Sequence, residues 1–178
     1  KIFYLTAKSS TRREAYHAAE KLFKAGALIR TIVLSAKSLM CLCDDKEDGV
    51  TRNMTEWDAS SCPFAKGYGK RAALAIDELL SMQNCFTRGA IIEAAKRHRV
   101  CPYELSLDLS ELCDVIICDY NYVFSPTVYL KRYFDERFGG GRERFIFLVD
   151  EAHNLPDRAR DMFSSRLSSE DFEHIISL

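Results

Sequence analysis

The chain has 178 residues, of which 47% are hydrophobic and 29% are charged. This composition excludes a disordered or collagen-like chain and is typical of a globular protein with one sizeable core. The net charge of −1 excludes a general attraction to nucleic acid, so any such binding must come from local basic patches. No apolar run reaches the roughly 18 residues that a transmembrane helix needs, and we expect no membrane partner.

The first residues and the cysteines indicate the kind of protein to which the chain belongs. It begins Lys1-Ile2-Phe3, without an initiator Met or a signal-peptide pattern, so we expect a piece of a longer protein. Seven cysteines are an odd number and too dilute for a disulfide-stapled secreted scaffold. They favour reduced thiols, a metal site or both.

Residues 1–37 predict a strand, a helix and a second strand. The mostly apolar residues 1–7 predict a buried strand. Thr11 and Glu14 fit a capping box that begins a helix, and Gly26 ends this helix. Residues 31–34 predict the second strand, so the order indicates a parallel βαβ unit.

Residues 38–103 interrupt this pattern and predict an insertion. Residues 41–62 hold six acidic and two basic residues, whereas residues 63–100 hold seven basic and three acidic ones. Helical patterns cover roughly residues 71–82 and 90–98. We therefore expect a small, mainly helical module with one basic face.

Residues 104–163 predict a return to the α/β domain. A helix over 104–112 precedes a buried strand over 114–119, and Ser125-Pro126 predicts a helix to about residue 138. Three glycines at 139–141 predict a flexible break. Residues 144–150 form the strongest strand pattern, expected to be central and buried, and a helix should follow from Glu151. Residues 164–178 are expected to begin a further inserted domain.

Two carboxylates, Asp150 and Glu151, follow this strongest strand directly. Open α/β sheets bind ligands at the carboxyl ends of their strands. An aspartate there can hold Mg²⁺, usually through water, and the next glutamate can orient and deprotonate an attacking water. Alternatively, both acids only begin the next helix, where they suit the helix dipole. The sequence Asp-Glu-Ala-His after such a strand favours an ATPase site.

Residues 147–155 resemble the Walker B motif of DEAH-type superfamily 2 helicases, specifically of the XPD-like and DinG-like iron–sulfur DNA helicases. Residues 4–11 resemble motif Ia of that group. Cys101-Pro102-Tyr103 resembles the segment of the last cluster cysteine, and residues 118–126 resemble the strand that returns to the motor. The order of all four segments agrees with the family.

The resemblance implies a partial RecA-like first motor lobe with a cysteine-rich iron–sulfur insertion. It implies ATP and Mg²⁺ as cofactors, a catalytic role for Asp150, Glu151 and His153, and coupling of ATP hydrolysis to movement on single-stranded DNA. Forked duplex DNA would be unwound by a monomeric motor in a bacterial cytoplasm or a nucleus, with DNA repair as the corresponding process. The sequence contains no G-x-x-x-x-G-K-[ST] loop, so we expect no ATP hydrolysis by this chain alone.

The same resemblance implies that four cysteines of the insertion hold a [4Fe–4S] cluster, for which thiolates are suitable ligands. Cys62 and Cys101, each followed by Pro and an aromatic residue, match the later ligands, and Cys41 fits the first. The family pattern expects one more cysteine shortly before Cys62, but none lies near Trp57. Cys43 or Cys85 could be the remaining ligand instead. A cluster held by three cysteines, or loss of the cluster, is a further alternative. Zinc is the rival metal, but only Cys41 and Cys43 are closely spaced. Cys113 and Cys118 flank a predicted core strand and are expected to be small buried hydrophobes.

Three groups of residues are candidates for DNA contact. Hydroxyls and backbone N–H groups at a helix start can hold a phosphate, and basic residues with aromatics can follow a single strand. Each group also has an alternative role. Thr11 could only cap its helix, the basic residues could form a solvated helical face, and Tyr120 and Tyr122 could pack the joint after the insertion. The main candidates are Thr6, Lys8, Ser9, Thr11, Lys66, Arg71, Arg97, Tyr120 and Tyr122, and the insertion adds Lys70, Arg88, Lys96 and Arg99 with Phe64, Tyr68 and Phe86.

A rival function is a non-enzymatic module that binds single-stranded nucleic acid, or senses redox state, through an iron–sulfur or zinc site. The missing phosphate loop supports it. A phosphate loop upstream in the parent reading frame would favour the motor instead.

Overall fold

The computed structural model describes residues 1–43, 62–138 and 144–164. The chain forms two compact units, Lys1–Asp119 with Arg144–Val149, and Tyr120–Glu143 with Asp150–Leu178. Three predictions fall outside the described residues: the glycine break at 139–141, the segment around Trp57 where a cysteine was sought, and the segment 165–178.

A five-stranded parallel sheet forms the centre of the first unit, with the strand order β3-β2-β4-β1-β5 among the described residues. This arrangement confirms the α/β class with a parallel sheet. The register aligns Leu5 with both Cys118 and Val149, so β1, β4 and β5 end at the same level. The strands are β1 (Ile2–Leu5), β2 (Thr31–Val33), β3 (Cys85–Phe86), β4 (Val115–Cys118) and β5 (Ile146–Val149).

β5 lies at the edge of the sheet formed by the described residues, and the prediction that it is a central, buried strand is wrong for this sheet. Ile146, Phe147 and Leu148 are 58%, 42% and 48% exposed. The physical reason is that β5 pairs only with β1, so its other edge has no neighbouring strand among the described residues. Phe3 of β1 packs against this strand: its ring stacks on that of Phe147 with the ring centroids 5.7 Å apart, and it meets the Phe145 ring edge-on with the centroids 5.5 Å apart.

Helices in the described part of the chain complete the first unit. The first begins two residues before Thr11, with Lys8 as N-cap and no side-chain cap, so the predicted capping box is wrong. Gly26 follows its end with a φ of +96°, as a glycine after a helix should. The helices are α1 (Ser9–Lys24), α2 (Lys37–Met40), α3 (Tyr68–Met82), α4 (Arg88–His98) and α5 (Pro102–Glu111).

α3, α4 and α5 pack against one another through small and aliphatic side chains. Ala75, Leu79, Ile91, Ala94 and Leu105 are at most 2% exposed. Small residues at helix contacts allow close approach of the backbones, so three short helices can share one core. The segment between α3 and α4 adds β3 to the sheet beside β2, a strand that the helical pattern did not predict.

The second unit contains short helical elements. The predicted continuous helix from Ser125 to residue 138 is wrong, because Leu130 has a non-helical ψ of 84° and its N–H donates to the Tyr122 carbonyl at 2.8 Å. Asp135 adopts an extended conformation that ends the second short helix. The helices are α6 (Asn121–Phe124), α7 (Lys131–Phe134) and α8 (Leu155–Phe163), with 3₁₀ turns at Glu136–Phe138 and Ala152–Asn154. Across the described ranges, no helix has the length and apolarity to cross a membrane.

The burial of α3 gives a direct test of this packing. Leu79 is 2% exposed and Leu74, on the same helix, is 60% exposed. Leu79→Ala should lower the free energy of unfolding by about 2–5 kcal/mol because it leaves a cavity. Leu74→Ala should change it by less than about 0.5 kcal/mol. Urea unfolding followed by circular dichroism measures both, and equal losses would mean that α3 buries a different face.

Candidate functional site

The turn that joins β1 to α1 carries the first set of candidate DNA contacts. Thr6 is buried, its N–H donates to the Cys118 carbonyl at 3.0 Å, and its hydroxyl accepts from the Lys8 N–H at 3.3 Å. Lys8 and Ser9 are exposed, whereas Thr11 is half-buried in the first turn of α1. The turn therefore presents Lys8, Ser9 and the amino end of α1, while Thr6 holds its shape.

An ion pair that sequence reasoning missed fastens this turn to β4. Arg12 Nη2 lies 3.2 Å from Asp119 Oδ2 and 3.5 Å from the Ala7 carbonyl oxygen. The Arg12 and Asp119 side chains are 22% and 25% exposed, so the pair is only partly screened by water. The sequence held one signal for this ion pair: a basic residue lies in the first turn of α1, and an acidic residue directly follows β4.

The chain leaves β5 at Val149 and continues directly into Asp150. Within the second unit, the Tyr120 hydroxyl donates to the Asp150 carbonyl oxygen. Tyr120 is 1% exposed, which favours the packing alternative for this residue over base stacking. Tyr122 is half-buried, and its carbonyl accepts from the Leu130 N–H at 2.8 Å.

Glu151 has an unusual backbone conformation, with a φ of +49° and a ψ of +46°. A non-glycine residue in this left-handed region costs of the order of 1–2 kcal/mol, and such residues cluster at functional sites. Its Oε2 lies 3.4 Å from His153 Nε2, and both side chains face solvent. The structure thus brings Glu151 and His153 together in one exposed turn.

Three of the predicted cluster cysteines lie together in the first unit. Cys43 Sγ lies 3.2 Å from Cys62 Sγ, and the Cys43 N–H donates to Cys41 Sγ at 3.4 Å. Burial is the main cause that raises the pKa of Cys43 to about 12, and the hydrogen bond with Cys62 adds to it. The structure therefore places Cys43 beside Cys62, and these three residues are called the thiol group below.

Cys101, the fourth predicted ligand, lies at the amino end of α5. Burial raises the pKa of Cys101, and the nearby backbone N–H groups of Glu104 and Tyr103 oppose part of this rise by favouring the thiolate. The charge of Cys62 adds a smaller contribution that also raises the pKa of Cys101.

The four cysteines, Cys41, Cys43, Cys62 and Cys101, offer only thiol donors, which is the ligand type of iron–sulfur clusters. Their chemistry therefore fits the group that the sequence predicted. Their positions are not a coordination sphere: among the described residues, no group of three or more His, Cys, Asp or Glu is arranged to hold a metal ion.

The other three cysteines lie in the core. Cys85 is on β3, where burial and the nearby Glu20 raise its pKa, and no contact joins it to the thiol group in the part of the chain described. Cys113 donates to the Leu109 carbonyl at 3.3 Å, and burial raises its pKa to about 12. Cys118 is fully buried, and burial raises its pKa as well. The prediction that Cys113 and Cys118 are small buried hydrophobes is confirmed.

Some of the basic residues between positions 63 and 100 are paired with acids, and others are exposed without an acid partner among the described contacts. Arg97 and His98 both contact Glu78 across the α3–α4 interface, and Arg97 is the first cause that lowers the pKa of Glu78. Lys96 Nζ lies 3.1 Å from Glu93 Oε1. These acids reduce the positive potential around the end of α4.

Lys66, Lys70, Arg88 and Arg99 are exposed. Arg71 is half-buried, and its guanidinium donates to the Lys66 carbonyl. Of the aromatic candidates, Phe86 is fully buried on β3, so its ring belongs to the core. Among the described residues, Lys66 and Lys70 are exposed bases that follow Cys62 within eight residues.

A second contact that sequence reasoning missed joins α3 to α5. The Tyr68 hydroxyl donates to Asp108 Oδ2 at 2.6 Å, and burial is the first cause that raises the pKa of Tyr68. Tyr68 is six residues after Cys62, and Asp108 is seven residues after Cys101. The bond thus ties together the two helices that follow these cysteines, and no spacing rule in the sequence signalled it.

Comparison with known proteins agrees with this geometry. The sequence matches the DEAD_2 family over residues 9–172. It is 25% identical over 181 residues to a regulator of telomere elongation helicase 1 homolog from Anopheles gambiae, covering 96% of this chain, and 24% identical over 180 residues to the Caenorhabditis briggsae homolog, covering 94%. A Fanconi anemia group J protein homolog from Gallus gallus is 30% identical over 74 residues, which cover 42% of this chain and 5% of that protein.

The chain spans 17% of the length of the first two relatives. The family match covers most of the chain and includes the start of α1, the thiol group and the acidic residues after β5. The parallel sheet is also consistent with a RecA-like lobe. The chain belongs to the DEAD_2 family, the XPD-like superfamily 2 DNA helicases, and represents part of their first motor lobe.

Proposed function

We propose that the protein containing this chain is an ATP-dependent DNA helicase that couples ATP hydrolysis to translocation on single-stranded DNA and to unwinding of forked duplexes. The observation that carries this proposal is β5 continuing directly into Asp150-Glu151-Ala152-His153, with Glu151 held in a left-handed turn. Carboxylates after a parallel strand are the groups that nucleotide-hydrolysing enzymes use.

Each acidic residue has a distinct role in this proposal. Asp150, whose carbonyl is fixed by Tyr120, would hold Mg²⁺ through water, since carboxylate oxygens suit this hard cation. When bound, Mg²⁺ neutralises charge on the phosphate oxygens. Glu151 would orient the attacking water and accept its proton, and His153 at 3.4 Å would hold the Glu151 carboxylate. The phosphate loop must come from outside this sequence.

The thiol group supports a second part of the proposal. Cys41, Cys43, Cys62 and Cys101 would hold a [4Fe–4S] cluster, which would rigidify the segment carrying them. The direct contact of Cys43 with Cys62 favours Cys43 over Cys85 as the remaining ligand. DNA would follow Lys8 and Ser9 on the motor and the exposed bases Lys66 and Lys70 on the insertion.

Glu151→Gln in the intact protein should lower the turnover of ATP by about 10²–10⁴-fold, because the amide cannot accept the proton of the attacking water. Asp150→Asn should do the same by removing the charge that holds the metal ion. The control is Asp157→Asn, since Asp157 is exposed and contacts Arg160 three residues along. DNA-stimulated phosphate release measures all three, and normal turnover by the first two variants would refute the assignment.

Anaerobically purified protein should contain iron and acid-labile sulfide. Cys62→Ala or Cys101→Ala should remove most of the iron, because each change deletes a ligand. Cys113→Ala and Cys85→Ala are the matched controls, because each removes a buried thiol away from the thiol group. Both variants should retain the iron. Elemental analysis with a sulfide assay measures this, and stoichiometric zinc without sulfide would contradict the cluster.

The DNA proposal is tested by salt dependence. Reversing Lys66 and Lys70 to Glu should weaken binding to single-stranded DNA and reduce the slope of log affinity against log salt by about 0.7 for each phosphate that is no longer neutralised. Lys96→Glu is the control, because Lys96 pairs with Glu93 and contributes little free positive charge. Fluorescence anisotropy at several salt concentrations measures the slopes. An unchanged slope in the double variant would leave this surface without a role in DNA binding.

A further inference from the structure

The thiols of Cys43 and Cys62 form a contact that a cluster ligand set does not require. Their sulfur atoms lie 3.2 Å apart, and either thiol can donate to the other. Two sulfurs bound to separate iron atoms need no direct contact, whereas two sulfurs in contact are positioned to bond. A disulfide has an S–S length of about 2.05 Å, so small side-chain rotations would close the distance that remains.

We propose that Cys43 and Cys62 form a reversible disulfide when the protein holds no cluster, and that this disulfide prevents cluster assembly. This inference rests on the proposed function, because it assigns a redox state to two of the proposed ligands. The disulfide would occupy both sulfurs, and reduction would return them.

The other cysteines are less well placed for the same reaction. Cys41 meets Cys43 through the Cys43 backbone N–H, so its sulfur serves as an acceptor at 3.4 Å in a tight Cys-x-Cys segment. Cys101 immediately precedes α5 and is buried there, and no capping hydrogen bond in the described part of the chain involves its side chain. Within the described residues, Cys43 and Cys62 are thus the pair whose sulfurs are in contact.

The oxidant would be a low-molecular-weight disulfide such as oxidised glutathione. One protein thiol, as thiolate, attacks a glutathione sulfur and forms a mixed disulfide, and the released glutathione takes up the proton. The second protein thiol then attacks the protein sulfur of the mixed disulfide, which forms the Cys43–Cys62 bond and releases the second glutathione. Two protein thiols are oxidised and one glutathione disulfide is reduced to two thiols.

The experiment uses the intact protein after its metal has been removed with a chelator under reducing conditions. Oxidised glutathione is added, free thiols are blocked, and tryptic peptides are analysed without reduction. Cleavage after Lys37, Lys46, Arg52 and Lys66 places Cys41 and Cys43 in peptide 38–46 and Cys62 in peptide 53–66. We expect most of peptide 53–66 to be linked to peptide 38–46, and a dithiol reductant to separate them.

Three variants identify the partners. Cys43→Ala should abolish the linked peptide, whereas Cys41→Ala should retain it. Cys85→Ala, which removes a buried thiol on β3, should also retain it. A linked peptide that persists in Cys43→Ala, or glutathione attached to Cys62 in the wild-type protein without any linked peptide, would overturn the proposal.

Iron uptake separates this inference from the cluster assignment. The oxidised wild-type protein should take up no iron and sulfide until the dithiol is added, while Cys85→Ala should behave identically. If the reduced protein takes up no iron either, the cluster assignment fails while the disulfide result stands. If the disulfide-linked protein takes up iron as fast as the reduced protein, the blocking role is refuted.

Discussion

The pairing of β1 with both β4 and β5 is the constraint on which the rest of the structure depends. Phe3 and Leu5 are fully buried in this central strand, and burial of such side chains contributes about 1.5–3 kcal/mol each. Because the register ends all three strands together, the chain leaves each of them at a common level. The turn that follows β1 and the Arg12–Asp119 ion pair are both positioned by this alignment.

Elements with a strong local pattern could be predicted from the sequence. For six elements, the predicted ends lie within a few residues of the observed ends. Apolar runs predicted β1, β2 and β4, and periodic patterns predicted α3, α4 and α5. Their burial agrees with their pattern, because local preference and tertiary packing favour the same structure there. The motif after β5 was also visible, since acidic residues directly following a strongly apolar run are a local signal.

The errors have a different physical origin. β3 contains two residues, Cys85 and Phe86, and a strand this short has no periodicity, so only its pairing with β2 defines it. β5 shows the converse, because its apolar residues predicted a central strand, but strand order is a property of the whole sheet. Where the second short helix ends at Asp135, Arg137 and Tyr129 donate to its carboxylate, and Arg137 is the first cause that holds the pKa of Asp135 well below its usual range. Side-chain contacts of this kind have no signature in a single sequence.

The candidate site could be predicted as a set of residues but not as a set of contacts. Cys43 and Cys85 were both alternatives in the sequence, because spacing alone does not decide which thiol approaches Cys62. The fold decides it physically: β3 holds Cys85 inside the sheet, whereas Cys43 follows a short helix whose end leaves its sulfur beside Cys62. Cys101 precedes α5 and α5 leads directly to β4, so one helix joins this cysteine to the sheet. β4 ends next to Asp119, which pairs with Arg12 in the first turn of α1, and the Tyr68–Asp108 bond adds the segment of Cys62 to α5. Well-packed helices and sheets resist small displacements because their interiors have few voids. The segment of Cys101 and the turn after β1 therefore belong to one packed unit, in which α5, β4 and α1 are joined by these contacts.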